Sequence, residues 1–405
     1  MPTAAAPRRL GSSMAESGSR MGTISPPLAM AISYLPRRFD FKRGKAATDH
    51  VLGPHGSGTW SPCVGSPNPP FELSAAPLRT TRRQPREPSR GTTERRASSR
   101  PSDEFSCGQG SDYPHVLNAQ GDHIVRANGV ELCVETFGDP DDPAILLIHG
   151  AGSSMLSWNE ELCARLADGH RLVVRYDSRD AGRSVSYEPG APQYELRDLV
   201  ADAIGLLDTL SLAGAHVVGM SQGGLIGQLL ALDHPDRVAS LTLASTTPFD
   251  GQQHPDLPGA SAELRAFFAN EPPQPDWTDR AAVIDYLVEA ERPFAARSRP
   301  FDEAAMRDLA GQVFDRAANI AANVTNPFLA GTGDPWRGRL GEISAPALVI
   351  HGEEDPMFPL AHAHALANEI PGAELLALEG TGHEYFPPHT WEVVVPAILR
   401  HSAAR

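Results

Sequence analysis

Gly219-Met220-Ser221-Gln222-Gly223 stands between an unbroken apolar run at residues 216–219 and an apolar-periodic segment at residues 224–232. The first pattern suits a buried strand and the second a helix. A strand that turns into a helix this abruptly forces the residue at the turn into strained backbone angles. Its neighbours two positions away must then be small. Glycine at 219 and at 223 meets that demand. Ser221 would open the helix, where the backbone dipole favours developing negative charge. A glycine-rich turn with an incidental serine would carry the same letters, but the flanking strand and helix favour an exposed nucleophile.

Working outward, the same alternation recurs. Strand-like runs lie at His123–Ala127, Val130–Phe137, Ala144–Ile148, Leu172–Tyr176, residues 241–244, residues 347–350 and Glu374–Leu378. Asn128-Gly129 supplies the pair of positive-φ residues that a tight hairpin needs between the first two. Helical spacing covers residues 158–166, 196–210 and 360–370, and a last helix follows residue 383. Strand then helix, repeated, predicts an α/β fold: a mostly parallel sheet joined by right-handed crossovers and flanked by helices.

The alternation stops at residues 247–342. There the sequence turns into helices broken by Pro and Gly and carrying Phe267, Phe268, Trp277, Tyr286, Phe294, Phe314, Phe328 and Trp336. An insertion between two sheet strands is expected to form a helical cap over the strand ends. The plainer alternative is a helical insertion whose aromatic residues form its own core. The expected division is thus 1–115 as an N-terminal segment, 116–246 as the first part of the core, 247–342 as the cap and 343–405 as the second part.

Composition separates the N-terminal segment from the rest. Residues 1–110 carry 16 Lys+Arg against 8 Asp+Glu, and the remainder carries 19 against 42, so the net charge of −15 joins two unlike parts. The early part is rich in Pro, Ser, Gly and Arg and buries too little apolar surface to offset chain entropy. It reads as a disordered tail, as a targeting segment, or as sequence upstream of a later native start. The acidic remainder disfavours nucleic acid or an anionic membrane as a partner, since either calls for a basic face. A neutral or weakly charged small molecule fits better. Cys63, Cys107, Cys133 and Cys163 show no metal-finger spacing, and a reducing cytoplasmic setting is expected. No apolar run reaches the ~18 residues of a membrane span.

A serine hydroxyl is a weak nucleophile at neutral pH and needs a base to take its proton. Among 15 histidines, His383 stands out. It follows the last strand-like run in Gly380-Thr381-Gly382-His383, at the sheet edge expected for Ser221; His351 and His389 are the nearest rivals. A carboxylate must hold the second ring nitrogen. Asp355, in His351-Gly352-Glu353-Glu354-Asp355-Pro356, lies just past a strand, giving the chain order serine, acid, histidine. Glu353 and Glu354 are its rivals. Two backbone N–H groups should face the developing oxyanion. One is expected from Gln222, directly after the serine, and the other from Ala151, in the small-residue loop Gly150-Ala151-Gly152.

The segments Leu146-Leu147-Ile148-His149-Gly150-Ala151-Gly152, Tyr176-Asp177-Ser178-Arg179-Asp180-Ala181-Gly182-Arg183-Ser184, Gly219 to Gly223 and Gly382-His383 resemble the α/β-hydrolase superfamily from about residue 125 onward. Within it, residues 179–184 and 216–221 look like the group around aclacinomycin methylesterase, which cleaves methyl esters of polyketides. The resemblance implies an α/β-hydrolase fold and hydrolysis of a small, largely apolar ester through an acyl-serine, with neither metal nor organic cofactor. It implies that residues 177–184 buttress the site without taking part in catalysis. It leaves open cofactor-free haloperoxidase, perhydrolase or lyase chemistry on the same three residues, and a fold retained only to bind a ligand. Epoxide hydrolases and haloalkane dehalogenases generally carry Asp where Ser221 stands.

Overall fold

The computed structural model describes residues 121–251, 256–270 and 272–403. The expectations for the N-terminal segment, with Cys63 and Cys107, lie outside the described residues. From residue 121 onward the strands are β1 (His123–Ala127), β2 (Val130–Phe137), β3 (Ala144–Ile148), β4 (Leu172–Tyr176), β5 (Ala215–Met220), β6 (Val238–Ala244), β7 (Ala347–Gly352) and β8 (Glu374–Leu378). They form one sheet in the order β1-β2-β4-β3-β5-β6-β7-β8. The β1–β2 and β2–β4 pairs are antiparallel, and every later pair is parallel. Asn128 and Gly129 turn the β1–β2 hairpin with φ of 48° and 78°.

The parallel strands are buried on both sides, so their side chains divide by alternation. Leu146, Ile148, Val217, Leu241, Leu243 and Val349 enter one apolar core. Ile145, Leu147, Val218, Met220, Leu348 and Ile350 enter the other. Five helices cover these faces: α1 (Glu160–Ala167), α2 (Leu196–Thr209), α3 (Gln222–Asp233), α8 (Ala361–Glu369) and α9 (Trp391–His401). Helices α2, α3 and α8 pack on the first face, and α1 and α9 on the second. Helix α1 starts later than its apolar spacing suggests. Asn159 accepts the Glu161 N–H at 2.8 Å and caps the helix, while Trp158 stays outside in the preceding turn.

Between β6 and β7 lie α4 (Ala262–Ala269), α5 (Arg280–Glu291), α6 (Glu303–Arg316) and α7 (Ile320–Thr325). Ser261, Asp279, Asp302 and Asn319 cap them in turn through side-chain oxygens. Helices α5 and α6 share a small core of Ile284, Val288 and Ala310. Among the described residues no helix is long and apolar enough to cross a membrane. Because β3, β5, β7 and β8 run parallel, the loops that leave them open at one edge of the sheet, where open α/β sheets bind ligands.

Candidate active site

Ser221 joins β5 to α3 with φ 53° and ψ −114°, a conformation an L-residue holds only when its surroundings enforce it. The surroundings are the two glycines. A Cβ at Gly219 would lie 2.1 Å from the Gly223 carbonyl oxygen, and one at Gly223 would lie 2.1 Å from that of Ile148. Ser221 N–H donates to the Ala244 carbonyl at 2.9 Å, tying the turn to β6.

Asp355 follows β7, and His383 follows β8. His383 Nδ1 donates to Asp355 Oδ2 at 2.8 Å, which leaves Nε2 as the ring's acceptor. Asp355 is buried, and its Oδ1 accepts the N–H groups of Met357 and Phe358 at 2.8 Å each. Burial alone would raise its pKa. The charge and hydrogen bond of His383, the nearby His351 and the Phe358 N–H outweigh that, and the carboxyl is held below its ordinary value. The His383 ring lies between Phe294 and Phe358, with centroids 5.8 and 5.5 Å away, and its backbone N–H donates to the Phe294 carbonyl.

The rivals fall elsewhere. His351 is fully buried on β7; its Nε2 donates to the Phe358 carbonyl at 2.7 Å, and burial pushes its pKa down. Glu354 turns to the Arg297 and Ser298 N–H groups, and Glu353 is exposed. His389 lies in the turn before α9, away from the cavity lining. Cys133 and Cys163 are free and buried, with thiols pushed up to about 12, chiefly by burial, so neither is a ready thiolate.

Ser221 and His383 line one cavity of about 220 Å³ together with Ala151 and Gln222. The peptide joining Gly150 to Ala151 is aimed by its neighbours. The Ser178 N–H donates to His149 Nε2 at 3.0 Å, so the ring hydrogen sits on Nδ1 and donates to the Gly150 carbonyl at 2.8 Å. In a trans peptide the C=O and the following N–H point opposite ways, which turns the Ala151 N–H from the His149 side. Gln222 opens α3, so its N–H is among those at the helix start that have no partner within the helix. Most of the remaining wall is apolar. Phe267, Phe268, Tyr286, Phe294 and Phe328 from the insertion line it, while Trp336 stacks on Phe249 at 4.4 Å within the first core. The aromatic residues of the insertion thus divide between the cavity wall and the core of the sheet.

Comparison with known proteins gives a consistent placement. A family model described as the alpha/beta hydrolase fold matches residues 143–390. The chain is 33% identical over 293 residues to rhodomycin D methylesterase DauP from Streptomyces sp. (strain C5), a match covering 69% of this chain and 98% of the relative. The same figures hold for rhodomycin D methylesterase DnrP from Streptomyces peucetius. Among solved structures, the enol-lactonase from Burkholderia xenovorans LB400 is similar at a TM-score of 0.52 and 26% identity, over 69% of this chain and 99% of the other. The chain belongs to the α/β-hydrolase family.

In this α/β-hydrolase, residues 177–184 form a brace under the site loops. Asp177 Oδ1 accepts the Met155 N–H at 3.0 Å, and its Oδ2 accepts the Arg183 N–H and pairs with Arg316 at the end of α6. Arg179 is held by both oxygens of Asp202, and Asp180 bonds Asn326 of the insertion at 3.0 Å. Two residues at the site escape a reading of the sequence alone. The Tyr385 hydroxyl accepts the Gly150 N–H at 2.5 Å and fixes the loop that carries Ala151. Glu291, the last residue of α5, brings a carboxylate to the cavity wall. The position of Tyr385, two residues past His383, is a visible signal; Glu291 has none.

Proposed function

We propose that Ser221, His383 and Asp355 act as nucleophile, general base and orienting acid in the hydrolysis of a carboxylic ester through an acyl-serine. The chain is a hydrolase acting on ester bonds, the chemistry named in its methylesterase relatives. The observation that carries the reading is the 2.8 Å His383–Asp355 pair, which leaves Nε2 free in the cavity that Ser221 also lines. Asp355, held ionised, fixes the tautomer and stabilises the imidazolium.

In the first half-reaction Ser221 Oγ bonds to the acyl carbon while its proton passes to His383 Nε2, and the carbonyl oxygen takes up the electron pair. The N–H groups of Ala151 and Gln222 would receive that oxyanion, each contributing about 3–4 kcal/mol in the transition state. Collapse breaks the bond to the alcohol, which leaves with the proton from His383. Water then attacks the acyl-serine with His383 again as base, releasing the acid and restoring Ser221.

The apolar lining supports a small, largely apolar substrate, and the two relatives support a methyl ester. The five aromatic residues from the insertion support reading 247–342 as a cap over the site. The free, buried Cys133 and Cys163 support a reducing, cytoplasmic setting. A fluorophosphonate probe tests the reading. Wild type should be labelled and Ser221→Ala should not; absence of labelling in correctly folded wild type overturns it.

A further inference from the structure

The cavity wall holds one side chain that ester chemistry does not require. Among the described residues lining the cavity, Glu291 is the only Asp, Glu, Lys or Arg, and Phe268, Tyr286 and Phe294 belong to the same lining. Its side chain is exposed, so water reaches it, yet the protein itself gives the charge little support. Glu291 ends α5, where the helix dipole is negative and a cation would be favoured. Among the described residues its carboxylate receives no hydrogen bond and no ion pair, not even as the cap of the short turn that follows. Much of the surrounding wall is apolar.

Nearby cations turn away from it. Arg292, its neighbour in sequence, pairs with Glu289 and Glu303 on the surface. Arg299 pairs with Glu384. Its charge reaches His383 and Tyr385, so it stands within electrostatic range of the reacting centre. The dense protein around the cavity raises its carboxyl above the ordinary value, with Glu384 adding to this and His383 opposing it. A carboxyl in that state gains most from a partner that brings its own positive charge.

We propose that Glu291 is a specificity-determining residue that receives a protonated amine on the substrate, in a cavity that Phe268, Tyr286 and Phe294 also line. The chemistry of the site favours this ligand on two separate grounds. A carboxylate supplies the charge-assisted hydrogen bond. Aromatic faces attract a cation through the ring quadrupole. A substrate carrying its own carboxylate would meet repulsion at Glu291 and find no Lys or Arg among the described lining residues to receive it. This inference rests on the ester-hydrolase reading and names the class of ester within it: one with a basic nitrogen near the scissile group.

The test uses the full chain and three methyl esters of one aromatic acid, which differ only in a distal primary amine, methyl group or carboxylate. The readout is the ratio of kcat/KM for the amine ester to that for the methyl ester. Wild type should prefer the amine ester and reject the carboxylate ester. Glu291→Gln should lower the amine preference on the order of tenfold, through KM more than kcat, as the loss of a charge-assisted contact implies. Glu291→Asp should keep part of it, which a merely structural role for the side chain would not produce. Fluorophosphonate labelling of Ser221 in each variant reports a folded, competent site. Equal ratios in labelled wild type and Glu291→Gln would overturn the amine site alone. Absence of labelling and of turnover for all three esters would overturn the hydrolase reading and this inference with it.

Discussion

The sheet edge and the helical insertion each bring one carboxylate within electrostatic range of His383, and the two are treated in opposite ways. Asp355, on the loop after β7, accepts two backbone N–H groups and the His383 ring, and is held ionised. Glu291, at the end of α5, receives no hydrogen bond among the described residues and is pushed toward the neutral form. The sheet edge is built to fix one geometry before any ligand arrives, whereas the insertion leaves an exposed charge with no protein partner among the described residues. Preorganised groups suit chemistry that is the same for every substrate, and unanswered groups suit selection among substrates.

The sharpest way to break that comparison is to neutralise each carboxylate by an isosteric amide. Asp355→Asn places an NH2 group or a carbonyl where the carboxylate held Nδ1–H, so the imidazolium loses its counter-charge and the tautomer is no longer fixed. The expected fall in kcat is about 10⁴-fold, the size such a change has in serine triads. Glu291→Gln should leave the labelling of Ser221 intact and change the choice among esters. Steady-state kinetics on the neutral methyl ester distinguishes the two; a comparable collapse of kcat in both variants would erase the distinction.

The two regions should also differ in their tolerance of a single methyl group. Gly219→Ala drives a Cβ to 2.1 Å from a backbone carbonyl that cannot move without displacing α3. A loss of about 3 kcal/mol is expected, the upper part of the usual range for overpacking. A Cβ at Gly341, in the turn that closes the insertion, would meet no atom within 4 Å, and Gly341→Ala should be close to neutral. Urea unfolding midpoints at constant slope measure both.

Tyr385→Phe probes how far the preorganisation extends. It removes the acceptor of the Gly150 N–H while keeping the ring that meets Trp158 edge-on at 5.1 Å. Leaving that donor without its partner should cost about 1–3 kcal/mol. Activity should fall with kcat, since the loop carrying the Ala151 N–H is then less firmly aimed. A change confined to KM would instead place Tyr385 in substrate contact.

What can be read from the sequence divides along the same boundary. Ser221, Asp355 and His383 are legible as candidates because each lies in the segment that follows a strand, in a fixed chain order, and because Gly219 and Gly223 report a steric demand on the backbone itself. The parallel sheet is legible from alternating apolar runs, although β6 reaches back to Val238 by pairing with β5 through an irregularity at Ala215 and His216 that apolar run-length does not reveal. Glu291 and Tyr385 matter through contacts with distant parts of the chain, and no local apolar pattern marks them. Eight aromatic residues in the insertion look alike, yet Phe294 flanks His383 while Trp336 donates to Gln228 at 2.9 Å inside the core. Only the folded arrangement separates the two uses.

The smallest expected effect is the most direct test of the two electrostatic states, because it is read from stability and needs no substrate. Asp355 has a folded-state pKa below that of the unfolded chain, near 3.9. Its contribution to stability is present above that value and is lost as the pH falls through the depressed one. Glu291 runs the other way: its folded-state pKa is raised above an unfolded value near 4.3. Its favourable contribution is complete below about 4.3 and is lost as the pH rises through the raised value, so at neutral pH the ionised side chain weighs slightly against the fold, water at the exposed side chain screening most of the effect. Glutamine carries no charge at either pH. Glu291→Gln should therefore melt at a higher temperature than wild type at about pH 7, and the gap should close by about pH 4. A gap that stays constant between the two would assign the effect to packing, and the two carboxylates would no longer stand in opposite electrostatic states.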